Sequence, residues 1–312
     1  MAKPIVKWAG GKHRLIGELQ KYLPETIDTY VEPFAGGAAL FFALASDERG
    51  PRFRRAILAD RNEELVACYR AVKHDVEAVI DALGVYKYDR DLYYQTRDLE
   101  TEAMSDVERA ARLIFLNHTC FNGLWRVNAS GRFNVPFGRY SNPRILDADG
   151  LREASRALAW AEILHVDFAA ATKKLRGGDF VYFDPPYVPV SATANFTAYA
   201  KDGFGPDDQE RLAKELRRLR DRGVGVLLSN HDTPEAQALY ADFAMHVVHV
   251  KRPINSDTSK RGEARELLVT SLGEPGVHES SPPPKSSRPV TRARAPRAAP
   301  KVAARRSRKV GA

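Results

Sequence analysis

The chain has 312 residues, 44% hydrophobic and 28% charged, the balance of a soluble globular protein with length for one large α/β domain or two ordinary ones. No apolar run approaches the ~18 residues of a membrane helix; the longest, Ala35 to Ala45, has eleven and includes two glycines. Two cysteines, Cys68 and Cys120, exclude a disulfide framework and a four-ligand zinc site. With no apolar leader at the N-terminus, we expect a cytoplasmic chain with reduced thiols and no membrane association.

The formal charge of +8 is unevenly spread. Residues 274–312 carry ten Lys/Arg against two acids, which leaves 38 charges of each sign in residues 1–273. The body is therefore neutral, and an anionic partner must meet a local patch. The tail, rich in Pro, Ala, Ser and Arg, has too few large apolar residues to offset its ordering entropy and is expected to be disordered. Two readings stay open for it, a solvated tail and a non-specific nucleic-acid contact.

Taken in chain order, Thr29–Glu32, Ala56–Ala59, Glu162–Val166, Asp179–Phe183 and Val224–Ser229 read as strands of a parallel sheet, short and apolar with polar ends. Helical segments lie between them. The clearest begins at Pro206, places Leu212, Leu216 and Leu219 on one stripe and has Gly223 beyond its end. Met245–Lys251 and Glu266–Ser271 read as a closing antiparallel pair. The alternation predicts an α/β fold, a three-layer sandwich with right-handed crossovers. About a hundred residues separate the second and third strands, where a crossover needs only about a dozen. We expect an insertion, helical over Glu63–Leu83 and Arg90–Leu116 and turn-rich from Asn117 to Asn142. From Arg109 to Leu146 it holds six arginines and no acid, interleaved with Phe121, Trp125, Phe133, Phe137 and Tyr140 and with Asn122, Asn128 and Asn134. Charge, stacking rings and amides suit a nucleic-acid reader. A decorated loop packed on its own domain is the plainer alternative.

Phe180-Val-Tyr-Phe-Asp184-Pro185-Pro186-Tyr187 is the most informative stretch. An acid and two prolines follow a hydrophobic strand, at the edge where open α/β sheets bind ligands. The prolines stiffen the turn, so Asp184 and the Pro185 carbonyl can serve as two acceptors for an exocyclic amino group. Tyr187 offers a face on which a base can stack. In Tyr30-Val-Glu32-Pro33-Phe34-Ala35-Gly36-Gly37, a strand leads into a glycine turn and a helix start. It lacks the dinucleotide pattern G-x-G-x-x-G. Asp60, 24 residues after Gly36, ends the second strand, placed to bind ribose hydroxyls or to cap a helix starting at Arg61. Lys7-Trp8-Ala9-Gly10-Gly11-Lys12 is not a phosphate loop, because the earlier glycine is missing and His13 replaces Ser or Thr. Trp8 and Lys12 could instead close over an aromatic ring and a carboxylate. His118 and His231 lack metal-ligand spacing, and we expect no metal.

These stretches, with Val31–Phe34, Phe121–Leu124, Gly131–Tyr140, Ser191–Tyr199 and Ser229–Thr233, stand in one order across residues 1–272. In that order the chain resembles a bacterial Dam-type DNA adenine-N6 methyltransferase of the D12 class. The resemblance implies a Rossmann-like methyltransferase sheet with an inserted helical and hairpin target-recognition domain. The expected division is 1–62 and 150–273 for the catalytic domain, 63–149 for the insertion and 274–312 for the tail. It implies S-adenosylmethionine as methyl donor, with Trp8, Lys12, Phe34, Gly36, Asp60 and Asp184 around it. Asp184, Pro185 and Tyr187 would be catalytic. Lys7, Phe121, Asn122, Leu124, Arg126, Pro136 and Tyr140 would contact double-stranded DNA at a GATC site. A monomer is the default expectation. Phe121 stands where the family has Tyr, His118-Thr119-Cys120 departs from its usual composition, and Ala38 replaces its last glycine. A related methyltransferase acting on cytosine N4, on RNA or at another site is the enzyme alternative, and a catalytically silent DNA binder the other.

Deleting residues 274–312 is expected to weaken non-specific DNA binding and flatten its salt dependence, with site choice unchanged. Titrating a random duplex across a salt series measures this; an unchanged slope would leave only the solvated tail.

Overall fold

A computed structural model describes residues 2–8, 10–47, 50–187, 203–251 and 263–273. Seven strands, β1 (Ile27–Glu32), β2 (Phe53–Asp60), β3 (Ala161–His165), β4 (Phe180–Phe183), β5 (Gly225–His231), β6 (Ala244–Lys251) and β7 (Glu263–Thr270), form one sheet. Their order is β3-β2-β1-β4-β5-β7-β6. β1 to β5 pair in parallel, and β7 runs antiparallel to both β5 and β6. All seven anticipated strands are present, their ends shifted by at most three residues.

Ten α-helices accompany the sheet among the described residues: α1 (Ile16–Leu19), α2 (Ala39–Ala45), α3 (Glu63–His74), α4 (Val76–Gly84), α5 (Arg90–Arg97), α6 (Asp106–Thr119), α7 (Ala148–Leu158), α8 (Phe168–Thr172), α9 (Pro206–Asp221) and α10 (Pro234–Leu239). Strand residues alternate between two cores, as a two-residue period requires. Tyr30, Phe180, Tyr182, Leu227 and Leu268 enter the core shared with α2, α3, α6 and α7. Val31, Val181, Phe183, Val226, Leu228, Leu267 and Val269 enter the core shared with α8, α9 and α10. The three-layer α/β reading holds. In α9 the anticipated stripe of Leu212, Leu216 and Leu219 is fully buried, and Gly223 beyond its end takes φ +73°.

Two long helices expected in the insertion are each broken. Asp75 ends α3 and its side chain accepts from the Ala78 amide, so it caps α4. Ser105 and Glu108 form a reciprocal capping box that starts α6 afresh. The Ser-x-x-Glu signal was legible; periodicity overrode it. α3 lies against β2 and β3, so the first helix of 63–149 covers the sheet, while α4 and α6 pack on α3 and α5 packs on α6. The turn-rich stretch is pinned by antiparallel bridges Cys120↔Phe137 and Val127↔Phe133. No described helix is long and apolar enough to cross a membrane. Ser191–Tyr199 and the tail lie outside the described residues.

β1 ends on Glu32, 3% exposed. Its Oε1 accepts from the Tyr30 hydroxyl and the Phe41 amide, both at 2.7 Å. Burial pushes this carboxyl from 4.5 up to about 8, against the lowering by those two donors. The folded chain therefore holds a proton that the unfolded chain releases between the two values. Its stabilising effect is complete below the unfolded value and is lost as pH rises, by at most about 1.4 kcal/mol per pH unit. Glu32→Gln keeps an oxygen for both donors and should flatten the fall in stability from about pH 5 to pH 8, as read by denaturant unfolding.

Candidate active site and nucleic-acid interface

The parallel strands deliver Glu32, Asp60, Asp184 and Ser229 to one edge, their carboxyl ends. After β4 the chain turns through Asp184-Pro185-Pro186-Tyr187, and each anchor of this turn comes from another element. Asp184 Oδ1 accepts from Ser229 Oγ of β5 at 2.9 Å and pairs with Lys12 Nζ at 2.8 Å. The Pro186 carbonyl accepts from Gln209 Nε2 of α9 at 2.8 Å. The Tyr187 hydroxyl donates to Glu266 Oε2 of β7 at 3.0 Å, and its ring meets that of His231 edge to face, with centroids 4.7 Å apart. The turn is thus held at both ends and in the middle. Gln209 and Glu266 were missed from the sequence because neither lies in a motif; Ser229 stood in a quoted motif with no role attached.

Lys12 is 5% exposed. Besides Asp184, its ammonium donates to the Gly10 carbonyl at 2.6 Å and lies 4.7 Å from the centre of the Tyr187 ring. The carboxylate and the aromatic face expected for the Trp8–Lys12 loop are here the chain's own Asp184 and Tyr187.

The glycine turn after β1 forms the neighbouring wall. Gly36 has φ +45°, and a Cβ there would come within 2.7 Å of Trp8 Cδ1, so the indole can lie against this turn only over a glycine. Gly36 N donates to Asp60 Oδ2 at 3.0 Å and Asn62 N to Asp60 Oδ1 at 2.9 Å. The helix that follows is capped by Asn62, which accepts from Leu65 N at 3.1 Å. The capping alternative for Asp60 is therefore overturned, because Asn62 does that work. Phe34 packs against Phe168, Phe183 and Phe204 beside the turn.

Trp8 also stacks on Trp125, with centroids 5.9 Å apart and planes inclined 19°, and so joins the glycine turn to the turn-rich stretch after α6. One residue earlier, the fully buried Asn117 side chain brackets Lys7. It accepts from Lys7 N at 2.8 Å and donates to Lys7 O at 2.8 Å and Gly123 O at 3.2 Å. Lys7 Nζ lies 5.0 Å from the centre of the Tyr140 ring, and the Tyr140 hydroxyl donates to Cys120 O at 3.0 Å. Phe121 N donates to Pro136 O at 2.9 Å. Lys7, Phe121, Asn122, Pro136 and Tyr140 thus come together through the bridges around Cys120. Asn122 adopts φ +55° and is exposed beside Phe121. Leu124 is half-buried and Arg126 exposed, the latter donating through Nε to Asn134 Oδ1 at 2.8 Å.

The arginine-rich run is less available than its sequence suggests. Arg109 pairs with Glu63 and Glu64, and buried Arg112 donates to the Thr96 and Arg97 carbonyls. Arg132 pairs with Glu100 and Arg144 with Asp147. Glu63, Glu64 and Glu100 are brought in by folding, whereas Asp147 stands just past the end of the acid-free window, three residues from Arg144. Trp125 and Phe133 are buried core residues, and Phe137 is half-buried against Tyr88; of the five interleaved aromatics only Phe121, 49% exposed, presents a largely open ring.

His118 faces the Arg144 carbonyl through Nδ1 at 3.0 Å and the Ile5 carbonyl through Nε2 at 3.1 Å, a stapling role, and burial lowers its pKa. Burial pushes the Cys68 thiol up to about 12 and that of Cys120 to about 11, which removes both as nucleophiles at neutral pH. Among the described residues no cluster of three or more His, Cys, Asp or Glu could hold a metal ion.

Comparison with known proteins gives one family. The D12 class N6 adenine-specific DNA methyltransferase family matches residues 8–254. The chain is similar to the type II methyltransferase M1.LlaDCHI of Lactococcus lactis subsp. cremoris, 41% identical over 279 residues, 87% of this chain and 96% of the relative. The type II methyltransferase M.MjaIII of Methanocaldococcus jannaschii is 40% identical over 286 residues, 86% of this chain and 98% of the relative. The DNA adenine methylase of Escherichia coli (strain K12) is 37% identical over 282 residues, 88% and 96%.

Asn117→Ala should lower unfolding free energy by about 2–3 kcal/mol, because buried backbone groups of Lys7 and Gly123 lose their partner; urea unfolding at constant pH measures it.

Proposed function

Since the chain belongs to the D12 class of N6 adenine-specific DNA methyltransferases, we propose that it takes its methyl group from S-adenosylmethionine and acts on a flipped adenine within GATC. The observation that carries the reading is the junction at Asp184. A carboxylate, an aromatic face and a glycine turn backed by an acid converge at the carboxyl ends of adjoining strands.

The residues present fit the cofactor. Asp60, on the turn of Gly36, suits ribose hydroxyls. Gly36, which has no Cβ, lets the Trp8 indole lie directly on the turn, where the ring can wall the cofactor's side of the site. Phe34 would border the methionine part, and the third N–H of Lys12, beyond those given to Asp184 and the Gly10 carbonyl, would serve its carboxylate. When bound, S-adenosylmethionine supplies an electrophilic methyl group on a sulfonium.

Adenine N6 is a poor nucleophile, since its lone pair is delocalised into the ring, and inside a duplex it is out of reach. The base must leave the stack at a cost of a few kcal/mol. Tyr187 then provides the stacking face, and its hydroxyl, tied to Glu266, keeps the ring from turning away. Asp184 and the Pro185 carbonyl accept the two N–H groups, orient the lone pair and stabilise positive charge as it develops on N6. Positioning and electrostatics carry the acceleration.

Residues 63–149 serve as the target-recognition insertion in this reading. Exposed Phe121 and Asn122, on a turn held by Gly123 and Asn117, enter the duplex near the flipped base. Lys7, Leu124, Arg126 and Pro136 read or bracket the site, with Tyr140 supporting Lys7. A guanidinium bidentate to guanine is worth about 1–3 kcal/mol of discrimination, and Asn134 holds that of Arg126 in advance. The protein acts as a monomer.

The test is methyl transfer from labelled S-adenosylmethionine to duplexes carrying GATC, GTTC or a GATC already N6-methylated on both strands. Label on the first alone is expected. Equal label on all three would discard GATC, and label on none, with tight DNA binding, would favour a silent binder. Asp184→Ala should abolish transfer and leave specific DNA binding intact; near-normal turnover in that variant would sink the catalytic assignment.

A further inference from the structure

Ser229 is completely buried and Tyr182 is 3% exposed, yet both carry hydroxyls directed at the active site. Ser229 Oγ donates to Asp184 Oδ1 at 2.9 Å and lies 3.0 Å from the Tyr182 hydroxyl. A serine hydroxyl has one proton, and a carboxylate can only accept. With that proton spent on Asp184, the Tyr182 contact has one possible sense, the phenol donating to Ser229. The result is a directed chain from Tyr182 through Ser229 to Asp184 Oδ1. Burial raises the Tyr182 pKa well above its usual value, which keeps the phenol a donor at the head of this chain.

The strand register explains the convergence. Tyr182 pairs with Leu227 and Phe183 with Leu228 in the parallel β4–β5 ladder, which brings Asp184 level with Ser229. The two-residue period then puts Tyr182, Asp184 and Ser229 on the same side of the sheet. Lys12 Nζ approaches the same carboxylate oxygen as Ser229. Two donors thus converge on Oδ1, and Oδ2 is left as the acceptor for an incoming N–H.

We infer that Ser229, backed by Tyr182, is a positioning residue for methyl transfer, fixing the Asp184 carboxylate so that Oδ2 faces the target amine. The inference rests on the methyl-transfer reading proposed above. A chain that only held β4 to β5 would affect stability; a chain that aims the carboxylate affects the rate of the chemical step at unchanged ligand affinity.

Single-turnover methyl transfer with saturating S-adenosylmethionine and a GATC duplex separates the two. Ser229→Ala should slow the step by about tenfold or more, the scale of a small misplacement of a reacting group. Cofactor and duplex dissociation constants should stay within about twofold. Tyr182→Phe should show a smaller loss of the same kind, and the double variant should be no slower than Ser229→Ala, since the two act in series. A wild-type single-turnover rate in Ser229→Ala would overturn the inference, as would a loss explained by weaker binding or unfolding, or additive losses in the double variant. Failure of the wild-type protein to label adenine in any duplex would instead defeat the underlying reading, before any variant is compared.

Discussion

The ion pair between Lys12 and Asp184 ties the segment ahead of the first strand to the end of a central one, and the site is arranged around it. With Lys12 nearly buried, the pair has lost much of its hydration, a cost that mutual attraction alone rarely offsets. The Gly10 carbonyl, the Ser229 hydroxyl and the face of Tyr187 supply what water no longer does. Such an arrangement says little about stability and much about geometry: an acid so engaged has few orientations left.

Around that pair, Ile5–Trp8 and Lys12 tie together two parts of the molecule. On one side Trp8 lies against Gly36, whose amide is held by Asp60. On the other, Asn117 brackets Lys7, His118 meets the Ile5 carbonyl and Trp125 stacks on Trp8. The glycine turn after β1, Asp184 and the turn at Asn122 therefore share one short stretch of chain, and displacement of any of them is felt by the others through close-packed contacts.

Polar side chains around the insertion show how local charge misleads. The six arginines between Arg109 and Leu146 looked like a concentrated positive surface because no acid stands among them. In the fold, four are engaged: Arg109, Arg112 and Arg132 by Glu63, Glu64, Glu100 and the end of α5, and Arg144 by Asp147 three residues on. An exposed patch is a property of what remains unneutralised after packing. What remains here is narrower than the composition suggested: exposed Arg126 and Arg139 of the six, with Lys7 near Phe121 and Asn122.

The linear sequence alone determined the sheet, its parallel body and antiparallel closing pair, the stripe on α9 and the positions of Asp184, Tyr187, Asp60 and Gly36. Those features come from hydrophobic period and from Gly, Pro and Asp at strand ends, all of which act within a few residues. The breaks at Asp75 and Ser105 were also local and were missed only because a longer apolar period spoke louder. The anchors of the Asp184–Tyr187 turn were decided by tertiary structure. Ser229, Gln209 and Glu266 lie between 23 and 79 residues from the groups they hold, and each belongs to a different element. No local pattern encodes such pairings, because they arise when strand register and helix packing bring distant side chains to the same edge of the sheet.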